Sequence, residues 1–312
     1  MQHFHNLLYV SHGTTDETGG LKQALSLARN NGAPLKVLVA CPEFPRDLPE
    51  HKVKFEQSLV DQATSSVRSA SEALKLEPNA IQVDVALAIG KHPASRIIQQ
   101  VLRDGHDLLV KEAETRDRGR GFKAIDMALL RKCPCPVWLT RPISRPRSEI
   151  KVAVAIDPES DEPEARTQSL RMLQLARSLA DTCSGELHVI SCWEYEFEDF
   201  LQNTPWVRMD EDAIAILVSG TMTEHAAALQ KLLRESEISD RKEIHHLRGE
   251  PERLIPKFIE KNGIDILVMG TIARTGIAGI VIGNTAENII QELTCSLLAL
   301  KPPGFVSPVK AY

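Results

Sequence analysis

Short apolar runs alternate along the whole chain with longer stretches in which apolar residues recur at helical spacing. Two of these runs are Leu7–His12 (LLYVSH) and Val152–Asp157 (VAVAID), and a polar turn follows each. The next stretch in either half has the period of an amphipathic helix and runs to Gly32 or Gly185, a residue type that commonly ends helices. The pattern predicts a strand followed by a helix at the start of each half.

The same order of strands and helices occurs twice, with an offset that changes only from 145 to 160 residues along the chain. The remaining paired segments are 35–41 and 186–192, 54–76 and 212–235, 82–87 and 243–247, 90–98 and 249–259, 107–111 and 265–270, and 129–142 and 289–302. Strands that alternate with helices predict parallel sheets with helices on both faces.

The repeat therefore predicts an α/β protein of two tandem, doubly wound domains, each with a five-stranded parallel sheet of Rossmann-like type, packed as a pseudo-dimer. We expect the domains at residues 1–143 and 150–312. The segment 144–149 (SRPRSE) is rich in serine, proline and charge, as linkers are.

Composition narrows the class of protein. Of the 312 residues, 43% are hydrophobic and 25% are charged, which is typical of soluble globular proteins. The net charge of −5 provides no basic field for nucleic acid. We also expect no membrane span, since no apolar run approaches about 20 residues. The N-terminus lacks the pattern of an export signal, and the six cysteines resemble reduced core thiols, so we expect a cytoplasmic protein.

The segment after the fourth strand of the second half carries the candidate chemistry, because ligands of doubly wound sheets bind beyond the carboxyl ends of the strands. Residues 269–290 read MGTIARTGIAGIVIGNTAENII. Glycines let the backbone approach a phosphate closely, an arginine supplies charge, and an asparagine or threonine can cap the following helix and donate to an oxygen. The candidates of these types are Gly270, Arg274, Gly283, Asn284 and Thr285. The plainer alternative is a turn followed by an ordinary helix cap.

This segment resembles the phosphate-binding fingerprint of the universal stress protein family, in its tandem two-domain branch. That fingerprint is Gly, two residues, Gly, nine residues, Gly, then Ser or Thr. The corresponding positions here are Gly270, Ala273, Gly283 and Asn284. The resemblance also implies that Asp157 faces an adenine ring and that Val189 provides an apolar contact to it. It implies a non-catalytic, stress-response protein whose second domain binds ATP or another adenine nucleotide, with or without Mg²⁺.

The first half departs from the fingerprint. Glu112 stands where the second half has Gly270, Lys123 replaces Gly283, and His12 replaces Asp157. An acidic side chain at the first glycine would repel phosphate. The resemblance therefore implies a degenerate first domain, which either pairs structurally with the second or holds an unknown ligand.

Other functions stay open at the level of sequence. A slow Mg²⁺-dependent ATPase would use Arg274 as charge stabiliser, but the loop has no obvious carboxylate or histidine to activate water, and Glu287 lies a turn into the helix. A scaffold could have lost nucleotide binding and hold an apolar ligand. Neighbouring strands could also bring four zinc ligands together: His188, Cys192, His245 and His246. However, consecutive residues of a strand point to opposite faces. The motif Cys133-Pro-Cys135 is too short for the usual metal spacing and favours packing.

The sequence leaves the oligomeric state open between a monomer with an internal pseudo-dimer and a homodimer. The resemblance implies that family members dimerise through their last strand. A tandem fusion could make that contact within one chain.

Overall fold

A computed structural model of the chain describes residues 4–13, 16–45, 47–114, 119–160, 162–204, 206, 209–238, 241–271 and 282–312. The elements of the first half are β1 (Leu7–Ser11), α1 (Thr18–Asn31), β2 (Leu35–Cys41), α2 (Pro49–Ala73), β3 (Val83–Ile89), α3 (Pro93–Asp104), β4 (Leu108–Glu112), α4 (Ala124–Lys132) and β5 (Val137–Thr140). A short 3-10 helix at Arg147–Glu149 lies in the predicted linker.

The second half repeats this order. Its elements are β6 (Lys151–Ala155), α5 (Pro163–Cys183), β7 (Glu186–Trp193), α6 (Glu198–Asn203), α7 (Glu211–Glu235), β8 (Glu243–Arg248), α8 (Pro251–Asn262), β9 (Ile266–Gly270), α9 (Asn284–Glu292) and β10 (Ser296–Leu300). The predicted alternation of strands and helices is confirmed. The short helix α6 has no counterpart among the described residues of the first half and was not predicted.

The ten strands form one sheet in the order β3-β2-β1-β4-β5-β10-β9-β6-β7-β8. Within each half all neighbouring strands are parallel, which confirms the predicted doubly wound halves. The two sheets are continuous, because β5 and β10 pair antiparallel, with Trp138 opposite Leu298. The contact through the last strands is therefore made inside the chain.

Two apolar cores lie on opposite faces of this sheet. Leu7 and Tyr9 of β1 belong to one core, and Leu8 and Val10 belong to the other. All four are fully buried, as expected for a central parallel strand with helices on both faces. Among the described residues, the structure has no helix with the length and apolar character needed to cross a bilayer.

The end of α5 corrects one detail of the sequence interpretation. Ser184, not Gly185, takes the left-handed conformation that terminates the helix, with φ of 57°. Gly185 serves a different purpose, because a side chain there would collide with the backbone carbonyl of Ile150. The glycine thus permits close approach of the chain that leads into β6.

Candidate functional site

A cavity of about 470 Å³ opens at the carboxyl ends of β6 and β9 in the second half. The starts of α5 and α9 form two of its walls, and α8 contributes Pro251 and Ile255. We call it the second-half cavity. It brings together four of the residues predicted from the sequence: Asp157, Gly270, Gly283 and Thr285.

Asp157 lies two residues beyond the end of β6, at the mouth of the cavity. The residue is exposed, and its Oδ1 accepts a hydrogen bond from the backbone N–H of Glu159 at 3.0 Å. This bond fixes the turn between β6 and α5. Asp157 is also one of the residues that line the cavity.

Gly270 ends β9 beside the side chain of Gln168 on α5. A Cβ atom at this position would lie 3.0 Å from Gln168 Nε2, and that nitrogen donates to the carbonyl of Leu300 at 3.2 Å. A side chain at position 270 would therefore either displace Gln168 or enter the cavity. Gln168 is a lining residue that the sequence interpretation missed.

The first turn of α9 borders the cavity. Gly283 occupies the N-cap position, and its N–H donates to the carbonyl of Thr271 at 3.0 Å. The prediction that Asn284 or Thr285 caps this helix is therefore wrong, because both lie inside it. The amides of the first turn have no carbonyl within the helix to which they can donate. Asn284 and Thr285 are both exposed, and Thr285 lines the cavity.

Val189 is not among the residues that line the cavity. Val189 is fully buried in the apolar core, and Cys192, three residues later on β7, lines the cavity. The assignment of Val189 to a ligand thus rests on the resemblance. Ala273 and Arg274 fall outside the described residues.

In the first half, a buried ion pair occupies the place that corresponds to the apolar wall of the cavity. Lys111 on β4 and Asp126 on α4 are both fully buried, and Lys111 Nζ lies 2.9 Å from Asp126 Oδ1. The register of the repeat places Met269 and Ala286 at the equivalent positions, and both line the second-half cavity. Burial raises the pKa of Asp126, and the Lys111 ammonium offsets part of that rise.

Further charged groups extend this network. Glu114 Oε1 lies 3.2 Å from Lys111 Nζ and 3.1 Å from Nε2 of His12, the counterpart of Asp157. Glu112, the counterpart of Gly270, accepts a hydrogen bond from the backbone N–H of Gly20 at 2.8 Å. In the first half, side chains of the protein itself therefore fill the place where the second half has its cavity. A lysine inside an apolar strand was the sequence signal for this network.

The proposed four-residue zinc set does not converge. His188 Nδ1 lies 3.1 Å from His245 Nε2, whereas His246 Nε2 lies 2.8 Å from Nδ1 of His225 on α7. The expectation that His245 and His246 point to opposite faces is confirmed. Cys192 belongs to the wall of the cavity.

Two additional residues complete these groups, and the sequence interpretation missed both. His225 pairs with His246, and Glu243 lies 3.4 Å from His188 Nδ1. Burial lowers the pKa of His188 and of His245 below the usual value of histidine.

The cysteines of the Cys133-Pro-Cys135 motif are both buried, with 3.5 Å between their sulfur atoms. The hydrogen bond with Cys133, together with burial, holds the pKa of Cys135 well above its usual value. The Cys135 thiol is therefore not a ready thiolate at neutral pH.

Known proteins resemble this chain in sequence and in fold. The model of the universal stress protein family matches residues 3–141 and 151–301. Universal stress protein E of Escherichia coli (strain K12) is 28% identical over 99% of this chain and 98% of its own length. The crystal structure of a putative universal stress protein from Pseudomonas aeruginosa UCBPP-PA14 has a TM-score of 0.72 at 24% identity, covering 96% of this chain and 94% of its own, which shows a shared fold.

A universal stress protein from Archaeoglobus fulgidus in complex with dAMP aligns with 49% of this chain and 98% of its own, with 19% identity and a TM-score of 0.31. The family model matches both halves and nearly the whole chain. This chain, with its two tandem copies of one α/β domain, belongs to the universal stress protein family.

Proposed function

We propose that the second half binds one adenine nucleotide in the second-half cavity and that the first half binds none. The observation that carries this proposal is the contrast between equivalent positions. Met269, Gly270 and Ala286 line a cavity of about 470 Å³, whereas Lys111 and Asp126 form a buried ion pair and Glu112 accepts a hydrogen bond from the backbone N–H of Gly20.

The dimensions and chemistry of the cavity suit such a ligand. Small-molecule sites commonly have volumes of about 300–1,000 Å³, with mostly apolar walls and a few polar groups. Here Met172, Ile255, Met269 and Ile289 supply apolar surface, while Thr285 and the first turn of α9 supply donors. The base can pack on the apolar wall while phosphates approach the positive end of the helix.

The first half offers the opposite conditions. A phosphate there would meet the carboxylates of Glu112 and Glu114. The Lys111 ammonium is already neutralised by Asp126 at 2.9 Å. Repulsion and the loss of a buried ion pair would both oppose binding.

The ATPase alternative gains no support from Glu287. Its carboxylate forms an ion pair with Arg131 of the first half, 2.5 Å from Arg131 Nη2. A general base needs to be within reach of the water that it activates. We therefore propose a binding protein, with hydrolysis absent or very slow.

A matched pair of substitutions tests the proposal in the full chain. Gly283→Val adds bulk at the start of α9, and Lys123→Val places the same residue at the equivalent position of the first half. We expect the first change to weaken ATP binding about tenfold or more, equivalent to ~1.4 kcal/mol, and the second to leave it unchanged. The measurement is titration calorimetry, with melting temperature as the check on folding.

Wild-type affinity in a folded Gly283→Val variant would overturn the site assignment. Loss of ATP binding in Lys123→Val alone would assign the nucleotide site to the first half. Binding of an apolar ligand with no affinity for ATP would instead favour the scaffold function.

A further inference from the structure

Three potential metal ligands share one face at the edge of the sheet in the second half. In the parallel register of β7 and β8, His188 pairs with Glu243 and Ile190 pairs with His245. Side chains two residues apart on a strand point to the same side, so Glu243 and His245 flank His188 on one face. Cys192, which lines the second-half cavity, lies near the other end of β7.

The ligand atoms already have the separations of a metal centre. His188 Nδ1 lies 3.1 Å from His245 Nε2 and 3.4 Å from Glu243 Oε2, and the third separation, His245 Nε2 to Glu243 Oε2, is 3.7 Å. Ligands about 2.0–2.1 Å from a tetrahedral zinc ion are separated by about 3.3–3.4 Å from each other. An ion at the centre of this triangle would therefore need only small side-chain movements.

The surroundings also have the features of a metal site. Histidine ligands usually direct their second ring nitrogen at a carboxylate, which fixes the ring and raises its basicity. The second nitrogen of His188, Nε2, is buried and lies 3.5 Å from Glu186 Oε2. The ring of Phe258, on α8, packs against His245 with centroids 4.4 Å apart and against His188 at 6.2 Å.

We propose that His188, Glu243 and His245 form a zinc site that joins the edge strand β8 to β7, with Glu186 as the positioning residue for His188. Two imidazoles and one carboxylate favour Zn²⁺ over Mg²⁺ or Ca²⁺, which prefer oxygen ligands. Three protein ligands leave a fourth position for water. The site is separate from the proposed nucleotide site and does not depend on it.

Two consecutive histidines provide a matched test. His245→Gln removes a ligand, whereas His246→Gln changes the neighbouring side chain on the opposite face. We expect titration calorimetry of the metal-free full chain with Zn²⁺, in the presence of a competing chelator, to give one site in wild type and in His246→Gln. The site should be lost in His245→Gln. Glu186→Gln should weaken binding about 10–100-fold, as expected when the partner of a histidine ligand is changed.

Melting temperature supplies an independent readout, because an ion that binds only the folded chain stabilises it. Zn²⁺ should raise the melting temperature of wild type and of His246→Gln but not of His245→Gln. If His245→Gln does not fold, Glu243→Gln serves the same purpose, since the Glu243 side chain is 65% exposed. Wild type without saturable binding, or His245→Gln or Glu243→Gln with wild-type affinity, would overturn the proposal.

Discussion

In each half, one glycine and one larger polar residue face each other where the first helix meets the end of the fourth strand. The second half has Gln168 on the helix and Gly270 on the strand, and the first half has Gly20 and Glu112. The buried positions of α1 and α5 match at an offset of 148 residues, which makes Gly20 the counterpart of Gln168. Because the glycine lies on the helix in the first half and on the strand in the second, the Glu112 carboxylate lies where the second half has its cavity.

This contact makes the effect of Gly20→Ala predictable. Glycine to alanine in a helix normally stabilises by about 0.5–1 kcal/mol. At Gly20, however, the new Cβ would lie 2.7 Å from the Tyr9 hydroxyl and 3.1 Å from the Glu112 Cβ. We expect net destabilisation of about 1–3 kcal/mol in urea unfolding.

Gly19→Ala is the control for this prediction, because its Cβ would meet only Glu112 Oε2, at 3.7 Å. We expect Gly19→Ala to be neutral or stabilising. Equal destabilisation by both changes would contradict the account of this contact.

Individual residues were predicted from the sequence where local chemistry decides their role. Gly270 and Gly283 were singled out as positions where a phosphate could approach the backbone, and both line the second-half cavity. Gln168 was missed because its role depends on a strand about 100 residues away, and helical periodicity marks it only as a buried position. Val189 was assigned by resemblance, and the structure places it in the apolar core.

At the scale of elements, the contact between the fourth strand and the last helix is ionic in one half and apolar in the other. Lys111 and Asp126 form this contact in the first half, and Met269 and Ala286 occupy the equivalent positions. Removing one partner of a buried pair leaves an uncompensated charge, whereas replacing both with apolar residues is often neutral.

We therefore expect Lys111→Met and Asp126→Ala to destabilise the chain by about 3–5 kcal/mol each. The double variant, which copies the second half, should lie close to wild type. The measurement is the free energy of unfolding in urea of wild type, the two single variants and the double variant. Additive losses would show that the two side chains contribute independently.

The elements themselves were predicted well because the apolar runs are short, regular and repeated. The ends of elements depended on finer geometry. Ser184 replaces Gly185 at the end of α5, and Gly283 replaces Asn284 at the cap of α9. Capping is decided by the path of the chain into the helix, which residue types alone do not fix.

At the scale of the whole molecule, each half contributes a cationic side chain that donates a hydrogen bond to the other half where β5 pairs with β10. Arg141, directly after β5, donates to the carbonyl of Leu293, and its own backbone N–H donates to Ser296 Oγ at 2.9 Å. Its counterpart Lys301, directly after β10, donates to the carbonyl of Leu130 in the first half. The junction is therefore built from both domains.

Lys301 gives the junction a distinctive pH dependence. Burial lowers the pKa of Lys301 to about 8, whereas in the unfolded chain the pKa keeps the ordinary lysine value of 10.5. Between these values the unfolded state binds more protons, so stability from this group increases as pH rises. Below pH 8 the Lys301 side chain is protonated in both the folded and the unfolded chain. The free-energy cost of burying its charge is then fully present.

Relative to Lys301→Met, wild type should therefore gain up to about 2 kcal/mol of unfolding free energy between pH 7 and about pH 9.5. Lys310→Met, at an exposed position, is the control and should follow wild type throughout. A constant difference between wild type and Lys301→Met across this range would show that folding does not lower the pKa of Lys301.

The domain repeat and the parallel halves could be predicted from the sequence, since both follow from the order of local patterns. The sequence did not decide that the two halves form one continuous sheet. The last strand of a domain can be covered by the other half of the same chain or by a second chain. In the structure, β5 covers the edge of β10 within the chain. Isolated halves would expose that edge, so binding experiments belong with the full chain.

Photolabelling with 8-azido-ATP, followed by mapping of the labelled peptides, tests the central claim most directly. We predict one label per chain, competed away by ATP and located in peptides of the second half near Asp157 or Cys192, whose side chains line the cavity. Label in the first half near His12 or Glu112, or equal labelling of both halves, would contradict the assignment of a single nucleotide site to the second domain.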